Sequence, residues 1–263
     1  MLDRIRTIID KEWAEVFKNR MVLFTILFIP LIFTILPLVS LFFTKGVSST
    51  SGDISDMPAQ FALACGVISG QDCMQIFIVN EFLLLYMMMP IIIPITIAAY
   101  SIVGEKATHS LEPLLATPIT TFELLAGKNL SASLPAVIAT WGCFGLFLLF
   151  LPLTGASSAV QAHVLGPTWL LAILVIGPLM SIFAVNFAIM ISSRVNDPRV
   201  AEQLSAVLVV PILVALFGQI SGLILINLQL IVITIIVLIL LDIGAIYLGA
   251  GLFQRENILT RWK

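Results

Sequence analysis

The side chains able to do chemistry in this chain are few and scattered. Three cysteines, Cys65, Cys73 and Cys143, have no CxxC spacing, which argues against a zinc ribbon or a dithiol redox site. The two histidines, His109 and His163, fall on opposite sides of the topology derived below, so no histidine cluster forms and no metal site is expected. Gly127-Lys128 lacks the upstream glycine of G-x-x-x-x-G-K-[ST], so the chain has no loop to cradle a nucleotide phosphate. No histidine pairs with a serine or cysteine on one face, and no cofactor motif occurs; no catalytic residue is assigned. What remains is polar rather than catalytic. Asp242 is the single acid inside a long apolar run, where an ionised carboxylate costs on the order of 2.5–3.5 kcal/mol. It reads either as a residue of a translocation path or as a protonated or hydrogen-bonded packing residue, with Asn186 as its candidate partner. Asn80 and Glu81 read as meeting water, with an exit gate as the alternative. Cys65 and Cys73 are close enough in sequence to close a disulfide in an oxidising compartment.

The elements that must position these groups follow from composition. Of 263 residues, 60% are hydrophobic and only 11% charged, with a mean hydropathy of +1.12. A globule of this composition has too little polar surface to cover itself in water, so the bilayer is the expected solvent. The net charge of −2 offers no basic excess for nucleic acid. Crossing a hydrocarbon core about 30 Å thick takes roughly 20 apolar residues in a helix. Six runs qualify: about 21–43, a long one within 76–103, 130–151, 169–192, 204–222 and 230–253. The expected fold is therefore an all-α integral membrane domain over residues 1–263, with an extracytoplasmic loop at 44–75. Twelve of the thirteen Lys and Arg lie in the N-terminal segment, between runs two and three, between four and five, or after six. Such a bias puts both termini in the cytoplasm. A cleaved signal peptide does not fit, since twenty residues precede the first run and no A-x-A-like site follows it.

Proline and glycine refine the helices. Pro30, Pro37, Pro90, Pro94, Pro135, Pro178 and Pro211 lie in or at the edges of the runs and predict kinks whose freed carbonyls find other donors. Gly218 and Gly222 have the GxxxG spacing of a close helix–helix contact. The surplus of chain at 222–229 predicts a short re-entrant or interfacial turn.

Two amphipathic segments flank the runs. Over 1–20, Leu2, Ile5, Ile9, Trp13, Val16 and Phe17 form a helical stripe, the remaining positions being mostly charged, as in a helix lying in the headgroup plane. Over 104–128, Ser110 can cap a helix whose Leu111, Leu114 and Leu115 follow i, i+3, i+4 spacing, while Glu105, Lys106, His109 and Glu112 stay polar. Thr117-Pro118 breaks it, and Thr120 with Glu123 has capping-box spacing for the helix leading into run three. This protrusion has the shape needed to dock a soluble partner.

Three stretches then resemble the permeases of the ABC-2 family of ATP-binding-cassette transporters, the type V exporter architecture. They are Ile102-Val103-Gly104-Glu105-Lys106 through Leu111-Glu112-Pro113-Leu114-Leu115-Ala116-Thr117-Pro118 to Gly127-Lys128, then Ser192-Ser193-Arg194-Val195-Asn196-Asp197-Pro198-Arg199, and Phe253-Gln254-Arg255-Glu256-Asn257-Ile258-Leu259. Thr108-His109-Ser110 stands where the family usually has a Gly-Thr pair. The resemblance implies a non-catalytic subunit of the cell membrane that pairs with a second copy or a sister permease above two ATP-binding subunits, which carry the ATP and magnesium. It implies an elbow helix at residues 2–20, with Ile5, Ile9, Trp13 and Phe17 as its apolar face. It also implies a coupling helix at 107–116; in and just before it, Glu105, Lys106, His109 and Glu112 are the candidates for polar contacts to the ATPase, or else only a solvated face, with Leu111, Leu114 and Leu115 as anchors. The rival classes are an ion-coupled secondary transporter, for which only Asp242 is available, and a non-transporting scaffold, which leaves the capped protrusion unexplained.

Overall fold

The computed structural model describes residues 2–44, 58–65, 70–107 and 120–252. All regular structure among them is helical, and six helical units are long and apolar enough to cross a membrane. The units are Val22–Thr44, Gly70–Lys106, Phe122–Thr154, Ser158–Ser192, Pro198–Ile220 and Leu228–Gly249, one for each run read from the sequence.

In chain order, α1 (Leu2–Val16) precedes α2 (Arg20–Thr44), then the short α3 (Ala59–Cys65), α4 (Gly70–Tyr86) and α5 (Met89–Ala107). After the segment 108–119 come α6 (Thr121–Phe150), α7 (Ser158–Val164), α8 (Pro167–Leu171), a π-helical stretch (Ala172–Ile176) and α9 (Gly177–Ser192). The chain closes with α10 (Pro198–Ser205), a 3₁₀ turn (Ala206–Val209), α11 (Val210–Ile220) and α12 (Leu228–Leu252). The expected loop at 44–75 thus contains α3 and the first turns of α4.

α5 is the central post, packed against α9, α6, α10 and α2. Its Met89, Ile93, Ile97, Ala99 and Ile102 are all buried, the mark of a helix that is apolar all round and surrounded by protein. α12, as apolar by composition, buries only the stripe Ile231, Leu238, Asp242, Ala245 and Gly249, which faces mainly α9, and leaves Ile233, Ile236, Leu240 and Tyr247 exposed.

The proline breaks find donors in two places. Pro135 has no N–H to give the carbonyl of Ser131, four residues back in α6, and the Trp13 indole from α1 donates to that oxygen at 2.9 Å. Before Pro178 the ladder widens to π spacing, with Gly177 N–H bonded to Ala172 O, so the next acceptor is Ile173 O. Pro178 cannot serve it, and Trp141 Nε1 does, at 3.0 Å. Both carbonyls are satisfied across helices, as membrane-buried backbone requires.

Gly218 and Gly222 form a helix stop, not a helix-pairing face. Gly222 has φ +74°, its N–H bonds Gln219 O at 2.9 Å, and Leu223 N–H bonds Gly218 O at 2.8 Å. This is a Schellman ending for α11, in which glycine avoids the strain of a left-handed residue. Ile224 folds back over Gly218, so closely that an added Cβ would lie 2.5 Å from its Cδ1. The surplus chain predicted here is the turn 221–227.

Candidate functional site

The end of the bundle where α1, α5 and α6 meet holds the densest group of charged side chains among the described residues. Lys128 on α6 is 3% exposed, and its ammonium lies 2.9 Å from Glu12 Oε1 on α1 and 2.7 Å from Glu105 Oε2 on α5. Lys11 reaches Glu105 Oε1 at 2.6 Å. Ser101 on α5 accepts from Lys128 at 3.0 Å and donates to Glu12. Two ammonium groups therefore face two carboxylates, formally neutral, in a site where Glu12 is 1% and Glu105 3% exposed. Burying such charges costs several kcal/mol per ion and holds only with close opposite charges and hydrogen bonds, which this knot supplies.

Local sequence explains the placement. Ile8, Glu12 and Val16 repeat every four residues, so they share one face of α1, and that face lies against α6 and α5. On α6, Lys128 follows the buried Leu124 and Leu125 by four and three residues. Gly127 lets α1 come close: a Cβ there would sit 2.8 Å from Ile8 Cγ2. α6 begins with Thr120 as its cap, the hydroxyl accepting from Glu123 N–H and the Glu123 carboxylate accepting from Thr120 N–H, a complete capping box. Arg4 lies 3.5 Å from the same Glu123, a second tie between α1 and the start of α6.

These contacts revise several sequence expectations. Glu105 faces inward, because α1 brings Lys11 and α6 brings Lys128 to its carboxylate, the positive charge that a buried carboxylate needs. Lys106 points toward the turn after α9, its ammonium 3.4 Å from the carbonyls of both Ser193 and Val195, as a cation at a helix C-terminus does. On α1 the deeply buried line is Ile8, Glu12 and Val16; Ile5, Ile9 and Trp13 are half-buried and Phe17 is 39% exposed. His109, Leu111, Glu112, Leu114 and Leu115 lie outside the described residues, as do Lys45, Asp53 and Asp56 and the closing stretch from Phe253.

At the opposite end, Asn80 does not meet water. It is buried, and its Oδ1 receives Trp169 Nε1 at 2.9 Å and the His163 ring nitrogen at 2.8 Å, joining α4 to α7 and α8. Glu81 beside it has no hydrogen-bond partner among the described residues. Cys65 and Cys73 are joined as a disulfide that ties α3 to α4. Asp242 is 6% exposed, and neither carboxylate oxygen has a hydrogen-bond partner among the described residues. Asn186 is not its partner in this geometry: its amide donates to Ile182 O within α9. Among the described residues no three His, Cys, Asp or Glu side chains form a group able to hold a metal.

Glu12, Ser101 and Lys128 are the site residues that the sequence did not single out. The signal was present in the four-residue spacing of Glu12 from Ile8 and Val16, which places a charge on an apolar line.

No curated protein matches the chain. The knot cross-ties the two helices that precede and follow a Leu-rich, Glu-Pro-containing stretch of sequence, and the sequence model described as ABC-2 family transporter protein matches residues 6–236, which takes in the knot, the first five apolar spans and the start of the sixth. The chain thus belongs to the ABC-2 transporter family and is a membrane-spanning permease of an ABC transporter.

Proposed function

We propose that this permease is an exporter subunit of the cell membrane, driven by ATP-binding subunits on separate chains that dock against segment 108–119 from the cytoplasm. ATP and magnesium belong to those partners, and the present chain supplies the path and the mechanical linkage. A second copy or a sister permease completes the path. Both termini lie on the cytoplasmic side, consistent with the Lys and Arg bias of the loops.

The observation that carries this reading is the Lys128 knot. Segment 108–119 leaves from the end of α5 and returns at the capped start of α6. Glu105 and Lys128, on those two flanks, are ionically joined to each other and to Glu12 and Lys11 of α1. A push on the segment therefore displaces α5, α6 and the elbow helix α1 together rather than bending one of them. Nucleotide-driven closure of the ATPase pair then biases the two permeases between inward-open and outward-open states. Glu112 and His109 make the polar contacts to the ATPase in this scheme, with Leu111, Leu114 and Leu115 as anchors, while Glu105 and Lys106 act from within the permease. Asp242 and Asn186 are the polar residues assigned to the path.

The test is a pull-down of the tagged chain from gently solubilised native membranes, with mass spectrometry of its companions. A stoichiometric ATPase with Walker motifs is expected, and a Glu112→Lys, Leu114→Asp variant is expected to lose it. Recovery of the chain alone, or only with itself, would overturn the reading in favour of an ion-coupled transporter working through Asp242.

A further inference from the structure

At the end of the bundle away from the charged knot, α4, α8, α9, α11 and α12 line a partly open cavity of about 240 Å³. Its walls include Leu84, Met87, Trp169, Ile176, Ile212 and Ile231. The one side-chain hydroxyl among the lining residues, that of Thr234, is already bonded to Leu230 O at 2.8 Å. The Trp169 indole N–H is likewise committed, to Asn80 Oδ1. The lining side chains therefore offer no free donor to a water molecule, which needs two to four polar partners. Apolar cavities of about 150 Å³ stay dry and take up benzene.

The cavity is held open by backbone rather than by chance packing. Much of the lining comes from or beside places where a helix cannot run straight: the break at Met87–Met88 between α4 and α5, the π stretch before Pro178, the 3₁₀ turn before Pro211, and the Schellman turn at Gly222, while regular α12 supplies Leu230, Ile231 and Thr234. These breaks are fixed by proline, glycine and their hydrogen bonds, which set the directions of the helices around the space. The volume falls below the ~300–1,000 Å³ of sites for drug-sized ligands, which favours one chain over a polycyclic molecule. Just outside, Val214 and Phe217 of α11 and Ile233 and Ile236 of α12 are more than half exposed, an apolar surface of the kind that faces hydrocarbon.

We propose that this cavity is a binding site for an alkyl chain, belonging to a bilayer lipid or to a free amphiphile. The site is built within one permease chain and does not depend on the ATPase-coupling reading.

The test uses the full chain in nanodiscs and a photoreactive diazirine placed mid-chain, in one arm on phosphatidylcholine and in the other on a free fatty acid, with labelled residues mapped by mass spectrometry. Met87 and Trp169 are 5% and 2% exposed, so a probe in the surrounding lipid does not reach them but one in the cavity does. Labelling of both residues is expected, lost in Ala215→Phe, which fills the space, while labelling of exposed Phe217 persists. Ala215→Leu is the milder filling variant should the larger one fail to fold. Labelling by the lipid arm identifies a bilayer chain and labelling by the fatty acid alone a free amphiphile. Labelling confined to exposed residues in both arms, or cavity labelling untouched by filling, would overturn the proposal.

Discussion

Two groups of buried ionisable side chains are handled in opposite ways by this fold. At the α1–α5–α6 end, Glu12, Glu105 and Lys128 are each at most 3% exposed, and every one lies within 3 Å of an opposite charge. On α12, Asp242 is almost as deeply buried yet has no hydrogen bond among the described residues. The first arrangement ties three helices into one body, because losing any member strands another charge in low dielectric. The second ties nothing among the described residues, none of which is hydrogen-bonded to it. Burial of charge is thus a structural tie at one place and a latent polar group at the other, and only the partners distinguish them.

Mutation can break this comparison. The largest effect is expected for Lys128→Met, which leaves Glu12 and Glu105 buried close to each other without their shared cation. The loss should be about 3–5 kcal/mol, read as a large fall in melting temperature or in the yield of folded protein. Adding Glu12→Gln and Glu105→Gln to it should restore much of that loss, and failure to do so would mean that packing, not charge, sets the effect. Next comes Trp13→Phe, which keeps the ring against α6 but leaves Ser131 O, freed by Pro135, without its donor. A cost of about 1–3 kcal/mol is expected in thermal unfolding, and none would show that another group takes over the carbonyl. The smallest effect is expected for Asp242→Asn. Since no described residue hydrogen-bonds to the carboxylate, the melting temperature should match or exceed that of the parent chain. A marked fall would place Asp242 among structural ties like Lys128, whereas lost transport at intact stability would put it on the path.

Much of this was legible from residue order. The capping box at Thr120 and Glu123 needed only a three-residue spacing, and the six spans only an unbroken apolar length. The prolines announced freed carbonyls, but not that Trp13 and Trp141 would answer them, because those donors come from other helices. The Gly218–Gly222 spacing misled for a local reason: the same four-residue interval serves a close helix contact and a Schellman stop, and the sign of φ at Gly222 decides between them. The resemblance points Glu105 outward to an ATPase, whereas its surroundings are set by Lys11 and Lys128, 94 residues before it and 23 after it.

By itself the sequence determined an α-helical membrane protein of six spans with an amphipathic N-terminal helix, because length and apolarity leave the backbone no other way to satisfy its hydrogen bonds in hydrocarbon. Tertiary structure decided which span stands in the centre. α5 and α12 are both long apolar helices, and lipid and protein interior are so alike to an apolar side chain that composition cannot tell a buried post from an outer wall. It decided equally where the charges end up, since an ion pair is fixed by distances of a few ångströms between helices that lie far apart along the chain.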